Sequence, residues 1–162
     1  MKILFRAFKV AHCVLITASL LMFATQASAW VSKGFVPANV SKINVGMNDN
    51  AKGGCWTNIS EVKRYTEDKL ELAGFTIPRD KFEFYDDKNH FVFGVTVTAN
   101  RTNGYCYGQI AMYIMKQSAE NNVHAKFIVG EYGSIFTGYD NVNQMTLELV
   151  GDFMKEVEDP QW

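Results

Sequence analysis

Phe91 to Ile114 reads FVFGVTVTANRTNGYCYGQIAMYI. Two alternating apolar runs flank Asn103-Gly104, a pair suited to a two-residue hairpin because both turn residues must take positive φ. That turn pairs Thr102 with Tyr105, which places Val97 opposite Ile110, Val95 opposite Met112 and Phe93 opposite Ile114. Side chains alternate across a strand. Cys106 and Gly108 therefore share the apolar face with Ile110, Met112 and Ile114, while Tyr105, Tyr107, Gln109 and Tyr113 share the other with Thr96, Thr98 and Met115. A five-residue loop, Asn100 to Gly104, would set Val97 against Tyr107 and mix the faces, so the Asn-Gly turn is preferred.

Upstream, Phe82 and Phe84 alternate with Glu83 and Tyr85, and Asp86-Asp87-Lys88-Asn89 supplies a turn that would bring Phe84 opposite Phe91. Downstream, Val123 to Val129 predicts a further strand, and Ser134 to Thr137 one more short strand in a glycine-punctuated segment. A helix is expected from Asn58 to Ala73. Asn58 and Glu61 have the form of a capping box, Gly74 can supply a left-handed stop, and Ile59, Val62, Thr66 and Leu70 follow helical spacing. A second helix is expected from Asp140 to Glu158, with Asn141 and Gln144 as its capping box and Pro160 beyond it. Val40 to Val45 can add a strand, and Asn48 to Gly54 reads as a loop whose spacing fails the calcium-loop pattern. The expected fold is a single α+β domain over residues 30–162: an antiparallel four- or five-stranded meander with two helices packed on one face and one disulfide.

The compartment follows from the amino end. Lys2, Arg6 and Lys9 precede the uncharged run Val14 to Ala24, and Ala27-Ser28-Ala29 gives a small-x-small cleavage pattern. Residues 1–29 thus read as a cleaved signal peptide with Trp30 as the mature start. An uncleaved anchor is the rival, since no charge falls between Lys9 and Lys33. Cleavage removes Cys13 and leaves Cys55 and Cys106, an even pair that oxidising compartments turn into a disulfide. With Cys106 facing inward and Cys55 just before the first helix, the bond would fasten the helix start to the sheet. Loss of three basic residues takes the net charge from −1 to −4. A mildly acidic, unclustered chain lacks the basic face that nucleic acid or an anionic membrane surface requires.

The helix ending LELAGF, the meander FVFGVTVTANRTNGYCYGQIAMYIM, the segment GEYGSIFTG and the closing helix LELVGDFMKEV together resemble small exported bacterial proteins of uncharacterised function. The resemblance spans Asn58 to Val157 and implies an exported helix–meander–helix domain. It brings no catalytic motif.

Titratable groups suited to catalysis are sparse. The mature chain has His90 and His124 alone among histidines, no Gly-x-Ser-x-Gly elbow and no phosphate loop. Asp86 and Asp87 fall in a turn, where aspartate bonds nearby amides. No metal or other cofactor is expected. The surface suited to recognition is the outer sheet face, where Tyr107, Tyr113, Gln109, Thr96 and Thr98 combine ring area with hydrogen-bonding groups. Residues 30–50 are the segment able to cover it. The expected function is a non-enzymatic periplasmic or secreted protein that binds another protein or an envelope component. The alternatives are an inhibitor or immunity protein plugging a hydrolase with the segment Gly130 to Gly138, and an enzyme using His90 or His124.

Overall fold

The computed structural model describes residues 29–40, 42–79, 90–120 and 123–160. Residues 1–28, which hold nearly all of the segment read as a signal peptide, the Phe82–Phe84 run, its Asp86–Asn89 turn and Trp162 lie outside the described residues. Elements follow in the order β1 (Trp30–Val31), a 3-10 turn (Pro37–Asn39), β2 (Lys42–Ala51), α1 (Ile59–Leu72), β3 (His90–Thr102), β4 (Tyr105–Glu120), β5 (Val123–Tyr139) and α2 (Asn143–Glu158).

The central hairpin has the register that its Asn-Gly turn dictates. Thr102 pairs with Tyr105, Val97 with Ile110 and Phe93 with Ile114, and Asn103 and Gly104 take φ of 51° and 87°. Around it the sheet is β1-β5-β4-β3-β2. This corrects the expectation of a purely antiparallel meander: β2 runs parallel to β3, from Lys42 opposite His90 to Ala51 opposite Ala99, so the five-stranded sheet is mixed. The cause is the connection. A tight hairpin forces antiparallel neighbours, but β2 reaches β3 through α1, and such a crossover returns the chain in its original direction. Of the segment read as a loop, Asn48 to Ala51 completes that strand, and residues 52–54 form the turn beyond it. A second correction concerns Ser134 to Thr137, which is not a separate strand. It continues β5, with register shifts against β4 between Cys106 and Tyr107 and between Ile114 and Met115. Gly130 and Gly133 looked like loop punctuation but allow close approach, since a Cβ on Gly133 would stand 3.0 Å from the Ile110 carbonyl oxygen.

Both helices pack on one face. Val62 and Leu70 of α1 and Val150, Phe153, Met154 and Val157 of α2 join Ile43, Val45, Phe93, Val95, Val97, Ile110, Met112 and Ile114 in one buried cluster, and the Phe93 and Phe153 rings lie 5.4 Å apart. Burial of such side chains supplies the driving force, at roughly 25 cal/mol per Å² of apolar surface. Thr66 and Thr146 are also buried, and each hydroxyl donates to the carbonyl four residues back, at 2.8 and 2.7 Å.

Neither capping box forms as expected. Asn58 is the N-cap of α1 without a cap bond to the main chain; its Nδ2 instead donates to Glu61 Oε2 at 3.0 Å. The N-cap of α2 is Val142, because its N–H is drawn to the Cys55 carbonyl at 2.9 Å while Asn141 Oδ1 accepts from the Asn143 N–H at 3.1 Å. Gly74 is the left-handed stop of α1, with φ 91°.

Cys55 and Cys106 are disulfide-bonded with Cα atoms 5.7 Å apart, and both are fully buried. The bond joins the approach to α1 to the central strand β4, as the sequence requires of an inward Cys106.

Candidate binding face

The residues expected on the outer face are brought to one side of the sheet by register. Thr98 pairs with Gln109, Thr96 with Ala111, Gly94 with Tyr113 and Asn100 with Tyr107. β5 extends these rows with Ile135 beside Gln109, Thr137 beside Tyr107 and Glu131 beside Tyr113. On the opposite flank the parallel strand adds Asn44, Asn48 and Asn50. These three asparagines were missed by sequence reasoning, which read Asn48 and Asn50 as loop and gave the short strand holding Asn44 no place in the sheet. The missed signal is the alternation of Asn44, Asn48 and Asn50 with Ile43, Val45 and Met47.

The surface mixes polar and apolar side chains and is almost uncharged. Between the row Asn44, Val92, Met115, Ile128 and the row Asn100, Tyr107, Thr137, Glu131 is the single charged side chain among the described residues. Tyr107 is 44% exposed and Gln109 is exposed, while Thr96, Thr98 and Tyr113 are half-buried. Tyr113 covers bare main chain, for a Cβ placed on Gly94 would clash with its Cζ. Ile135 stands out at 85% exposure.

Residues 32–40 do not cover this face. They cross from β1 at one margin to β2 at the other on the helix side, where Phe35 stacks on Phe75 at 4.9 Å and meets Phe91 edge-on at 5.5 Å. Phe91 shares its side of β3 with the buried Phe93 and Val95, which fixes the side on which the segment passes.

The histidines do not form a pair at the level of the backbone. His90 opens β3 and His124 lies on β5, with β4 between them, a separation of about 10 Å across two strand spacings. No group of three or more His, Cys, Asp or Glu suited to a metal occurs among the described residues. Gly130 to Gly138 is paired strand, not a loop, so the inhibitor reading loses the projecting segment that it invoked.

Displaced ionisations lie on the helix side. Burial, and then the Asp152 carboxylate, push the Tyr132 phenol above its usual range; Lys155 is raised by its hydrogen bond to Asp152, at 2.7 Å. Both shifts come from packing and surface pairing. The groove between the helices holds about 390 Å³ and is lined by Glu61, Arg64, Tyr65, Asp68, Gln144, Leu147 and Glu148. Its lips mix both charge signs and it opens broadly to solvent, unlike the enclosed apolar clefts that usually hold small ligands. No helix among the described residues is long and apolar enough to cross a membrane.

A mixed five-stranded sheet carrying two helices on one face and one disulfide defines the molecule as an α+β protein. Two solved structures are similar to it in fold: a PelC dodecamer from Paraburkholderia phytofirmans, with TM-score 0.52, 10% identity and coverage of 84% of this chain and 99% of that one, and a variant of the same PelC, with TM-score 0.53, 10% identity and coverage of 82% and 98%. At this identity the likeness is one of fold. No family model matches the chain, and no curated protein does.

Proposed function

We propose that the mature chain is an exported, non-enzymatic protein, periplasmic or secreted, that acts by binding another protein through the outer face of its sheet. The observation that carries this reading is the nearly uncharged surface, uncovered among the described residues, built from Tyr107, Gln109, Tyr113, Thr96 and Thr98 and extended by Asn44, Asn48 and Asn50. Rings and neutral hydrogen-bonding groups suit protein recognition, because they contribute contact area without the desolvation cost of charges. The secretory leader and the buried Cys55–Cys106 bond support an oxidising compartment. A flat face gains reach by repetition, and the PelC neighbours are dodecamers; assembly of several copies belongs to the same reading.

Photo-crosslinking in the native host tests it. A photoreactive residue at Gln109 should yield a defined protein adduct, and Tyr107→Ala should abolish that adduct while leaving the melting temperature unchanged. A probe at Leu72, exposed on α1, should yield none. Adducts from Leu72 with none from Gln109 would move the binding surface to the helices and refute the reading.

A further inference from the structure

Among the described residues the sheet has two margins with stretches that no strand covers, and their geometry is mutually complementary. On β5, the short β1 pairs with Gly130 and Glu131 alone, and the Val129 carbonyl accepts from Ser32 N–H at 2.8 Å. Main-chain groups alternate sides along a strand, so the N–H and C=O of Gly133, Ile135 and Thr137 point to the same margin as those of Val129. No described strand lies beside them. Among the described residues the Ile135 carbonyl receives a 3.4 Å contact from the Ser134 hydroxyl.

On β2 the alternation is fixed at both ends. Lys52 N–H donates inward to the Ala99 carbonyl, whereas Ile43 N–H donates outward to Thr76 and Ala51 N–H is taken by the Asp49 carboxylate, at 2.9, 3.0 and 2.9 Å. Those last two contacts close the ends of this margin. Between them the main-chain groups of Val45, Met47 and Asp49 point outward, again with no described strand alongside.

Direction and face also agree. β2 is parallel to β3, and two antiparallel steps through β4 make β5 parallel to both. Placing a second copy beside the first in the same orientation therefore sets β5 parallel to the neighbour's β2. In a parallel pair, a residue that offers both main-chain groups lies opposite one that offers neither. Gly133, Ile135 and Thr137, whose side chains are on the outer face, then lie opposite even-numbered residues of β2, and Asn44, Gly46 and Asn48 are on that same face. Both sheets continue with outer face joined to outer face. An antiparallel union would instead turn one copy's helices to the other's outer side.

We infer that copies of this chain join head to tail by parallel pairing of the β5 margin, Gly133 to Thr137, with the β2 margin, Val45 to Asp49, of the next copy. The register that fits the side chains sets Ile135 over Gly46, whose bare main chain leaves room for the ring-free branched side chain; a Cβ there meets nothing nearer than Val92 Cγ1 at 3.7 Å. This accounts for the 85% exposure of Ile135, the highest among the large apolar side chains described. The union is heterologous, so it closes into a ring when each step turns the chain by a fixed angle. The inference rests on the assembly part of the proposed function and names its interface.

Light scattering and native mass measurement on the mature, oxidised protein test it, with Ile135→Lys and Met47→Pro as edge-blocking variants. Charge and proline are the devices that natural sheets use against edge pairing, and neither change removes a bond within the sheet. The parent should be multimeric. Each variant should be monomeric, with unchanged circular dichroism for Ile135→Lys. A multimer of undiminished size in Ile135→Lys would overturn the interface and leave assembly standing. A parent that stays monomeric at micromolar concentration would overturn assembly and the interface together. Should the proline variant lose its fold, Ile135→Lys alone decides.

Discussion

Arg101 and Asp140 are joined by a hydrogen bond that no local pattern announces: the guanidinium donates to the Asp140 main-chain carbonyl at 2.5 Å, across a sequence separation of 39. The same side chain donates to the carbonyls of Gly53 at 2.7 Å and Gly104 at 2.5 Å. One cation thus gathers the loop before Cys55, the hairpin turn and the entry to α2. Beside it, Asn143 Oδ1 accepts from the Thr57 N–H at 2.9 Å and its Nδ2 donates to Thr57 Oγ1 at 2.8 Å, so the two helix starts are also linked directly.

Arg101→Lys should therefore lower stability, because a single ammonium group cannot reproduce a planar fork that reaches three separate carbonyls. A loss of about 1 to 2 kcal/mol is expected, modest because the residue is exposed and water replaces some of the bonds. Urea unfolding of the oxidised protein measures it; a midpoint equal to the parent's would show that these contacts contribute nothing.

Replacing both Cys55 and Cys106 by serine should cost about 4 kcal/mol, the loop-closure entropy of a crosslink spanning 51 residues. The check is thermal unfolding of parent and variant, each with and without reductant. Reductant should destabilise the parent alone once the buried sulfurs become accessible, and identical melting curves for the oxidised parent and the variant would contradict the prediction.

Gly94 and Gly108 should respond unequally to alanine. At Gly94 the new methyl group meets the far end of the Tyr113 ring, which can swing outward, so Gly94→Ala should cost about 1 kcal/mol and expose Tyr113 to solvent quenchers. At Gly108 the methyl group meets the Thr98 carbonyl oxygen and comes within 2.8 Å of Ala99 Cα. Main chain held in a ladder cannot yield in that way, and Gly108→Ala should cost roughly 3 kcal/mol or block folding. Comparable losses at the two positions would invalidate the distinction.

What was legible in the sequence was what local chemistry controls. Asn103-Gly104 fixes the register of β3 on β4, and from that register come the inward Cys106, the outward Tyr107 and Gln109, and the disulfide. Helical periodicity placed both helices to within three residues at each end. What stayed hidden depends on distant partners. The parallel setting of β2 is imposed by its crossover to β3, and nothing in Lys42 to Ala51 states which neighbour it will take. The start of α2 is displaced because the Cys55 carbonyl claims Val142 N–H, a contact between segments far apart in sequence. The glycines of β5 misled because the residue that bends a loop also lets strands approach closely, and sequence alone does not separate the two uses.

Trp30 lies opposite Glu131 and Val31 opposite Gly130, so the first described strand has no lateral partner until most of the polypeptide has been made. Pairing at such a span is slow to form, since the intervening chain must first be ordered. The amino end consequently settles last, and a ribosome or translocation channel would handle this margin of the molecule in an extended state. A product terminating ahead of Gly130 would leave Val31 stranded and its side of the hydrophobic interior open to water.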